Sequence, residues 1–308
     1  MAEKRKREIV SLQVALHCDK NCEPCPRYFD CTSEWKQDIY KMPALRAIKK
    51  RLSTVKHKIA VLSGKGGVGK STTLVNLAGC FAQMGFKVGA LDSDFYEPTL
   101  PSFFGIPKAR LMVHKGGILP IESPSGVKVA SVASTLEEYG FVTWVTDQLR
   151  WGLYTFLGGT DWGDLDVLFI DLPPGTGEEC LNVLKALPDM DGVVIVTIPS
   201  DVSQIVVGRG ISLCRRANTK IFGLVENMAT FECPHCAVLF DVFRSGGGMR
   251  VADEMGVNFL GRIPLDSRNS AAADQGEIYS IKYKDTLGGK EYMRMAKDII
   301  QQMGLKTK

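Results

Sequence analysis

The sequence of 308 residues predicts an α/β protein built on a doubly wound, mostly parallel sheet, with a small cysteine-rich segment at its amino-terminal end. From about residue 58 onward, short apolar runs alternate with stretches of helical periodicity, as in βαβ units. A glycine-rich loop at 64–72 separates the first apolar run from a helical stretch, and four cysteines crowd into residues 18–31. We therefore predict a four-cysteine segment at 1–40, a basic linker or helix at 41–57, and an α/β domain at 58–308.

Six apolar runs are predicted to be the strands of this sheet. Strands of a parallel sheet are covered by helices on both faces, so near-continuous apolar residues are expected in them. The predicted strands are 59–62, 87–92, 166–171, 192–199, 220–225 and 257–264. Helical patterns include 72–78, 203–217 and a closing amphipathic stretch at 291–303. Ligands of such sheets bind at the carboxyl ends of the strands, which is where the polar residues considered below occur.

The glycine-rich loop predicts a site for ATP and Mg²⁺. It reads Gly64-Lys65-Gly66-Gly67-Val68-Gly69-Lys70-Ser71-Thr72, and it has the strand–loop–helix context of a phosphate-binding P-loop. Glycines allow successive N–H groups to turn onto phosphate oxygens, and the following helix adds its dipole. Lys70 is expected to reach the β- and γ-phosphates, and the Ser71 hydroxyl is expected to bind Mg²⁺. Lys65 is an additional cation that an ordinary P-loop does not require, although a solvated loop lysine is an alternative.

Polar residues that follow three predicted strands complete the expected nucleotide site. Asp171 closes an apolar strand as a Walker B aspartate does, so it should hold a Mg²⁺-bound water. The sequence from Asp171 to Gly177 is predicted to be a switch loop in which Gly175 gives an N–H to the γ-phosphate. Asp92, Asp94 and Asn227 also follow strands, and plain turn-forming residues are the alternative for all three.

The amino-terminal cysteines predict a metal site. Cys18, Cys22, Cys25 and Cys31 have the spacing C-x₃-C-x₂-C-x₅-C. Four thiolates this close can hold a [4Fe–4S] cluster or Zn²⁺. All four ligands lie in one short segment, and Pro26 follows Cys25 as in ferredoxins, which favours the cluster. Zinc or a redox disulfide pair are the alternatives.

A second cysteine motif, Cys233-Pro234-His235-Cys236, supplies two further thiolates. Two ligands do not saturate a [4Fe–4S] cluster, but the same loop from two subunits of a symmetric dimer would. The motif therefore predicts one exposed, bridging cluster per dimer, and a zinc-linked dimer or a redox C-x-x-C are the alternatives. The remaining cysteines, Cys80, Cys180 and Cys214, lie in apolar helical patterns and are predicted to be core residues.

Composition narrows the class of protein. The net charge of +4 is mild, so neither nucleic acid nor a membrane is expected as the main partner. The basic residues at 1–8 and the short apolar run after them lack a signal-peptide cleavage site. We therefore expect a cytoplasmic protein, in which nine reduced cysteines suggest metal binding more than disulfides.

With these motifs assembled, the chain resembles the Mrp/Nbp family of iron–sulfur cluster carrier ATPases, which have a deviant Walker A P-loop. The segments that carry the resemblance are 64–72, 92–94, 171–178, 226–228, 231–236, 246–248 and 259–266. The resemblance implies that Lys65 crosses a dimer interface to the partner's nucleotide, that Asp94 orients the attacking water, that Asp92 lies near the metal and that Asn227 contacts adenine.

The predicted function is ATP-dependent binding of [4Fe–4S] clusters and their transfer to apoproteins, with slow hydrolysis. The partners would be a second copy or a paralogue, together with the apoprotein acceptors. Two alternatives stay open, an ATP-gated electron donor like the nitrogenase iron protein and a zinc-bearing regulatory ATPase of the partition type.

Overall fold

The computed structural model describes residues 18–137, 140–233, 235–236, 238–241 and 246–306, and it confirms the predicted α/β fold. The first 17 residues of the predicted 1–40 segment, and Pro234 of the second cysteine motif, lie outside these ranges. The eight strands of the main sheet have the order β12-β9-β8-β1-β7-β2-β6-β5. All neighbouring pairs are parallel except β5 with β6, which is why the sheet is mostly rather than wholly parallel.

The strands are β1 Val55–Ser63, β2 Val88–Asp92, β3 Met112–His114, β4 Gly117–Leu119, β5 Ile121–Glu122, β6 Lys128–Ala130, β7 Leu165–Asp171, β8 Gly192–Thr197, β9 Ile221–Glu226, β10 Thr230–Glu232, β11 Leu239–Asp241 and β12 Phe259–Arg262. All six predicted strands are present, with ends shifted by a few residues. The pairs β3–β4 and β10–β11 are separate antiparallel hairpins that the apolar pattern does not predict.

The α-helices are α1 Pro43–Arg51, α2 Lys70–Gln83, α3 Leu100–Phe103, α4 Thr146–Gly159, α5 Glu178–Ala186, α6 Asp201–Arg216, α7 Gly247–Glu254, α8 Ser267–Asp274, α9 Tyr279–Lys282 and α10 Leu287–Gln302. Short 3₁₀ helices occur at Ile39–Lys41, Leu52–Thr54 and Val132–Thr135.

The helices cover both faces of the sheet because the side chains of each strand alternate between them. In β1, Ala60 and Leu62 pack on one face with residues of α4, α5 and α6, whereas Ile59 and Val61 pack on the other with α2 and α10. Burial on both faces explains the near-continuous apolar runs in the sequence. The three cysteines predicted to be core residues, Cys80, Cys180 and Cys214, are buried.

The residues before β1 pack against the α/β domain. Helix α1 lies next to α4, and its Leu45 and Ile48 are buried in the same core as Cys22 and Tyr28. Strand β1 begins at Val55, three residues before the predicted boundary at 58. The described part of the amino-terminal segment is therefore continuous with the core. No helix among the described residues is long and apolar enough to cross a bilayer.

Candidate functional site

The glycine-rich loop connects the carboxyl end of β1 to the first turn of α2. Gly67 and Gly69 have φ values of +75° and +84°, a region in which residues with a Cβ are strained. A Cβ on Gly66 or Gly67 would meet no heavy atom within 4 Å, so this side of the loop is open backbone. Open backbone at a helix amino terminus is the arrangement that a phosphate group needs, so the loop fits a nucleotide.

Lys70, Ser71 and Asp171 form a buried polar cluster between the loop and β7. Lys70 Nζ lies 2.6 Å from Asp171 Oδ1, and Ser71 Oγ donates to Asp171 Oδ2 at 2.5 Å. Burial raises the pKa of Asp171, and the charge of Lys70 opposes that rise. Hydroxyl and carboxylate oxygens are ligands that Mg²⁺ accepts directly or through water, so this donor set fits the predicted metal. A bound phosphate would compete with Asp171 for the ammonium of Lys70.

Asp92 and Asp94 lie at the end of β2 and have different surroundings. The carboxylate of Asp92 accepts from Asp94 N, Leu100 N and Ser131 Oγ, at 3.2, 3.2 and 3.0 Å. Burial and the neighbouring Asp171 raise the pKa of Asp92 to about 7. Asp94 lines the nucleotide cleft described below, whereas Asp92 lies behind it and organises the backbone around it.

Asn227 follows β9 and contacts the glycine-rich loop from the opposite side. Its Nδ2 donates to Val68 O at 2.9 Å, and a Cβ on Gly69 would lie only 2.1 Å from the same nitrogen. The side chain is buried but borders the cleft. Glycine at 69 is thus required both by its φ and by the close approach of the Asn227 amide.

The switch loop after β7 is held at three points. Gly175 N donates to Ser63 O at 2.8 Å, and the Cys180 thiol lies 3.1 and 3.3 Å from the carbonyls of Pro173 and Gly175. Gly175 has a φ of +93°, and a Cβ there would have no neighbour within 4 Å. The Gly175 N–H could turn to a γ-phosphate only by leaving Ser63, which is the rearrangement expected of a switch.

These elements enclose a cleft of about 430 Å³, which we call the nucleotide cleft. Most of the residues predicted to bind the nucleotide line it, namely Lys65, Gly66, Gly67, Gly69, Lys70, Ser71, Thr72, Asp94 and Asn227. The predicted residues that support the cleft from behind or beside it are Gly64, Val68, Asp92, Asp171 and Gly175. Its far wall is formed by α8 and by the segment 264–266 that precedes it.

The second cysteine motif lies at the tip of β10 and β11, which we call the CxxC hairpin (residues 230–241). Cys233 is half-buried and Cys236 is exposed. The N–H groups of His235 and Cys236, with the Cys236 side chain, lower the pKa of the Cys233 thiol. A thiol with a lowered pKa is more often ionised, which is the form that binds metals. Four large apolar side chains among the described residues of the hairpin are exposed, namely Phe231, Val238, Leu239 and Phe240.

The CxxC hairpin is hydrogen-bonded to the far wall of the nucleotide cleft. Leu265 N donates to Thr230 O at 2.7 Å, and Phe231 pairs with Leu265 as in a parallel sheet. The residues 264–266 line both the nucleotide cleft and a larger groove beside Cys233 and Cys236. The two predicted sites therefore share one wall of the molecule.

Of the amino-terminal cysteine segment, the turn from Cys22 to Cys25 lies against α4 and α5. Cys22 is buried, and its Sγ accepts a hydrogen bond from Gln37 N at 3.2 Å. Cys25 and Cys31 are half-buried, and Cys18 is exposed. Within the described residues, no three histidine, cysteine or carboxylate side chains converge in a geometry that would hold a metal ion. The donor set of four thiols still fits a cluster or zinc chemically, so this site stays a prediction.

Sequence analysis missed several polar residues that the fold buries. Glu226, at the end of β9, pairs with Arg262 Nε at 3.0 Å and accepts from Gly248 N at 2.7 Å. Glu23 and Lys185 meet between the cysteine segment and α5. Burial lowers the pKa of Lys185, while the nearby Cys25 and Glu23 oppose that shift. A lysine within an apolar helix pattern is the one local signal that could have drawn attention to Lys185.

A parallel sheet whose first strand leads into a glycine cradle, with a buried lysine–aspartate pair behind it, defines a P-loop NTPase. Comparison with known proteins narrows this class. The family model described as "ParA: NUBPL iron-transfer P-loop NTPase" matches residues 54–300. The chain belongs to this family, which confirms the resemblance identified from the motifs.

The relatives with known names agree with this assignment. The chain is 39% identical over 287 residues to an iron-sulfur cluster carrier protein of Methanocaldococcus jannaschii, covering 93% of this chain and 97% of that protein. It is 41% identical over 255 residues to a protein of the same name from Saccharolobus solfataricus, covering 82% and 86%.

Solved structures show the same fold. A nucleotide-binding protein of Archaeoglobus fulgidus in complex with ADP, in which cobalt was found, is similar with a TM-score of 0.68 and 38% identity, covering 76% of this chain and 92% of that one. The cell division protein MinD of Aquifex aeolicus shares the fold, with a TM-score of 0.58. It is 18% identical, and the similarity covers 80% of this chain and 97% of that one.

Proposed function

We propose that this chain is a nucleotide-dependent carrier of iron–sulfur clusters, which binds [4Fe–4S] clusters as cargo and transfers them to apoproteins. The names of its relatives from two archaea support the iron–sulfur cargo, and the P-loop supports control by ATP. The single observation that carries the proposal is the shared wall, residues 264–266, between the nucleotide cleft and the groove beside the CxxC hairpin.

The contacts along this wall provide a route from phosphate to cysteine. The Asn227 amide holds the glycine-rich loop at Val68. Asn227 itself lies three residues before Thr230, where the hairpin begins. On the other side of the hairpin, Leu265 binds Thr230 directly. A nucleotide that moves the loop would therefore act on the start of β10, where both contacts lie. Allosteric coupling of this kind is typically worth about 1–3 kcal/mol.

In the nucleotide cleft, we assign Lys70 to the β- and γ-phosphates, and Ser71 and Asp171 to Mg²⁺, which supplies charge neutralisation when bound. Asp94 borders the cleft and would orient the attacking water. Lys65 would act on the partner's nucleotide in a dimer. Hydrolysis would be slow, as in switch-type NTPases without a stimulating partner, and release of Gly175 from Ser63 would accompany ATP binding.

At the hairpin, Cys233 and Cys236 supply two thiolates, so four ligands require a second copy or a paralogue. The exposed apolar side chains beside these cysteines, Phe231 and Leu239 among them, would be covered in such a dimer. An exposed cargo site is also one that an acceptor can reach. A cytoplasmic location would keep these thiols reduced.

The direct test is transfer of a cluster in the absence of a reductant. Protein reconstituted anaerobically with iron and sulfide should activate an apo-enzyme that needs a [4Fe–4S] cluster, and ATP should change the rate. Activation that occurs only with a reductant would favour the electron-donor alternative. A colourless protein with stoichiometric zinc and no absorbance near ~400 nm would contradict the proposal and favour the zinc-bearing regulator.

A further inference from the structure

The amino-terminal cysteine segment is attached to α5 by a buried lysine. Lys185 is completely buried, and its Nζ donates to Glu23 O at 2.9 Å and to Cys25 O at 2.7 Å. Both carbonyls belong to the short turn between Cys22 and Cys25, two of the predicted metal ligands. A buried ammonium without hydrogen bonds is very unfavourable, so this contact holds the turn firmly against α5.

A buried glutamate attaches the same turn to α4. The Glu23 carboxylate is buried, and its Oε1 accepts from Tyr154 Oη at 2.6 Å and from Arg150 Nε at 2.8 Å. The segment thus contributes one carboxylate and two carbonyls to helices that lie more than 120 residues away in the sequence. This set of polar contacts, made by Glu23, Arg150, Tyr154 and Lys185, is called the docking network below.

The docking network leads to the switch loop. Glu178 is the first residue of α5 and directly follows Gly177, the last residue of the switch loop. Arg150 Nη1 is buried and has no hydrogen-bond partner among the described residues, and Glu178 Oε1 lies 4.0 Å from it. A buried guanidinium nitrogen in that position gains a full hydrogen bond if the start of α5 moves toward it by about 1 Å.

Helix α5 therefore has a different attachment at each end. Its first residue borders the switch loop, and Lys185, near its other end, holds the cysteine turn. A nine-residue helix is about 13 Å long and moves as a rigid element, so a shift at one end is transmitted to the other.

We propose that the amino-terminal cysteine segment and the switch loop form one coupled unit, in which α5 and Arg150 make nucleotide affinity depend on whether the four cysteines hold metal. By reciprocity, nucleotide binding then changes the affinity of these cysteines for metal. This inference rests on the proposed metal-binding role of Cys18, Cys22, Cys25 and Cys31. A network with a purely structural role would stabilise the fold but leave nucleotide affinity independent of metal.

The test uses the full chain carrying Cys233→Ser and Cys236→Ser, so that only the amino-terminal cysteines can be loaded. Affinity for a fluorescent, non-hydrolysable ATP analogue with Mg²⁺ is measured before and after anaerobic reconstitution with iron and sulfide, with iron counted in each sample. Loading should change the affinity at least about fivefold, the lower limit of typical coupling. In Glu178→Ala, which removes the acceptor for Arg150 Nη1, the change should fall below about twofold while iron content stays the same. Glu254→Ala, an exposed change at the end of α7, is the matched control and should keep full coupling.

Lys185→Met tests the docking itself, because it removes the ammonium but keeps most of the side-chain volume. Backbone amides of residues 18–40 should exchange with solvent at least about tenfold faster than in the parent chain. Lys58→Met, which removes another buried lysine at the start of β1, is the control and should leave exchange at 18–40 unchanged.

Three outcomes would overturn the inference. A parent chain that loads iron without a change in nucleotide affinity would refute the coupling but leave the carrier proposal intact. Coupling that is unchanged in Glu178→Ala would refute the route through Arg150. A parent chain that takes up no iron would refute both the coupling and the amino-terminal metal site, whereas transfer by the CxxC hairpin would still be testable in the wild-type chain.

Discussion

The two cysteine regions differ in how they are attached to the same α/β domain. The amino-terminal turn is fixed by buried polar contacts to Lys185 and Arg150, and Cys22 is part of the main core. The CxxC hairpin projects from the carboxyl edge of the sheet. Its Cys233 is half-buried, whereas Cys236 and the side chains of Phe231, Val238, Leu239 and Phe240 are exposed.

This difference indicates how a single chain could hold two metal sites for two purposes. A site with one ligand embedded in the core, as Cys22 is, can release its metal only if that part of the core opens, which is costly. A site on an exposed hairpin can pass its metal to another protein without unfolding. We therefore expect the amino-terminal site to retain its cluster and the hairpin site to exchange it.

The largest expected effect comes from removing a ligand from each region. Cys233→Ala should abolish the bridging cluster and lower total iron by roughly a third, because a dimer would keep two amino-terminal clusters of the three. Cys25→Ala should abolish the two amino-terminal clusters and leave the bridging cluster at the hairpin in place. Iron and sulfide analysis after anaerobic reconstitution provides the measurement, with Cys214→Ala, a core cysteine, as the control. Loss of both clusters from either variant would show that the two regions are not separate sites.

Lys70→Ala tests whether nucleotide acts on cargo transfer. Loss of the ammonium should slow ATP hydrolysis by about 10²–10³-fold, since one preorganised charge at a phosphoryl group is removed. Total iron should stay unchanged, and ATP should no longer alter the rate of cluster transfer. Lys87→Ala, an exposed lysine before β2, is the control. Retention of ATP-dependent transfer in Lys70→Ala would mean that the glycine-rich loop does not govern the hairpin.

Thiol reactivity should separate exposed from buried cysteines in the metal-free chain. Cys233, whose pKa is lowered, should react with iodoacetamide at pH 7 at least about tenfold faster than Cys22, because only the thiolate is nucleophilic. Its rate should rise with pH and level off at a lower pH than the rate of a free thiol does. Burial raises the pKa of Cys80 to about 11 and of Cys180 to about 12, so these should stay unmodified. Mass spectrometry of peptides gives the rates, and equal rates for Cys22 and Cys233 would contradict the difference in attachment.

The smallest effect is expected from Tyr154→Phe, which removes one hydrogen bond to the buried Glu23 carboxylate. The free energy of unfolding should fall by about 1.5–3 kcal/mol, as for a buried hydrogen bond to a charged group. Urea unfolding measures it. Tyr96→Phe makes the same chemical change at an exposed hydroxyl and should cost less than about 0.5 kcal/mol. Equal costs at both positions would mean that the amino-terminal segment is not firmly docked.

The elements that the sequence predicts well are those whose cause is local. Strand β7 is apolar without a break from Val167 to Ile170, as a doubly covered strand requires, and the glycines at 67 and 69 stand where the loop needs positive φ. The position of Asp171 at the end of that strand then follows, because parallel strands end at one edge of the sheet. The hairpins β3–β4 and β10–β11 have strands of three residues, which are too short to show an alternating pattern.

Contacts between segments that are distant in the sequence could not be predicted from local patterns. The Asn227 amide meets Val68, 159 residues away, and Lys185 meets the carbonyl of Glu23 at a separation of 162 residues. In the sequence, Glu23 and Lys185 are ordinary charged residues, and only the fold shows that both are buried and that the Lys185 ammonium binds the backbone carbonyl of Glu23. The continuity of the amino-terminal segment with the core is a second example, because its few apolar residues have no clear period.

The amino-acid sequence by itself determined the α/β fold, the phosphate-binding loop and the presence of two cysteine sets, because glycine conformation, apolar period and thiol spacing are properties of neighbouring residues. The tertiary structure alone decided that the amino-terminal cysteine segment is fixed to α5, which follows the switch loop, and that the CxxC hairpin shares a wall with the nucleotide cleft. Such pairings depend on which strand ends and helix faces the topology brings together, and no local pattern records that choice.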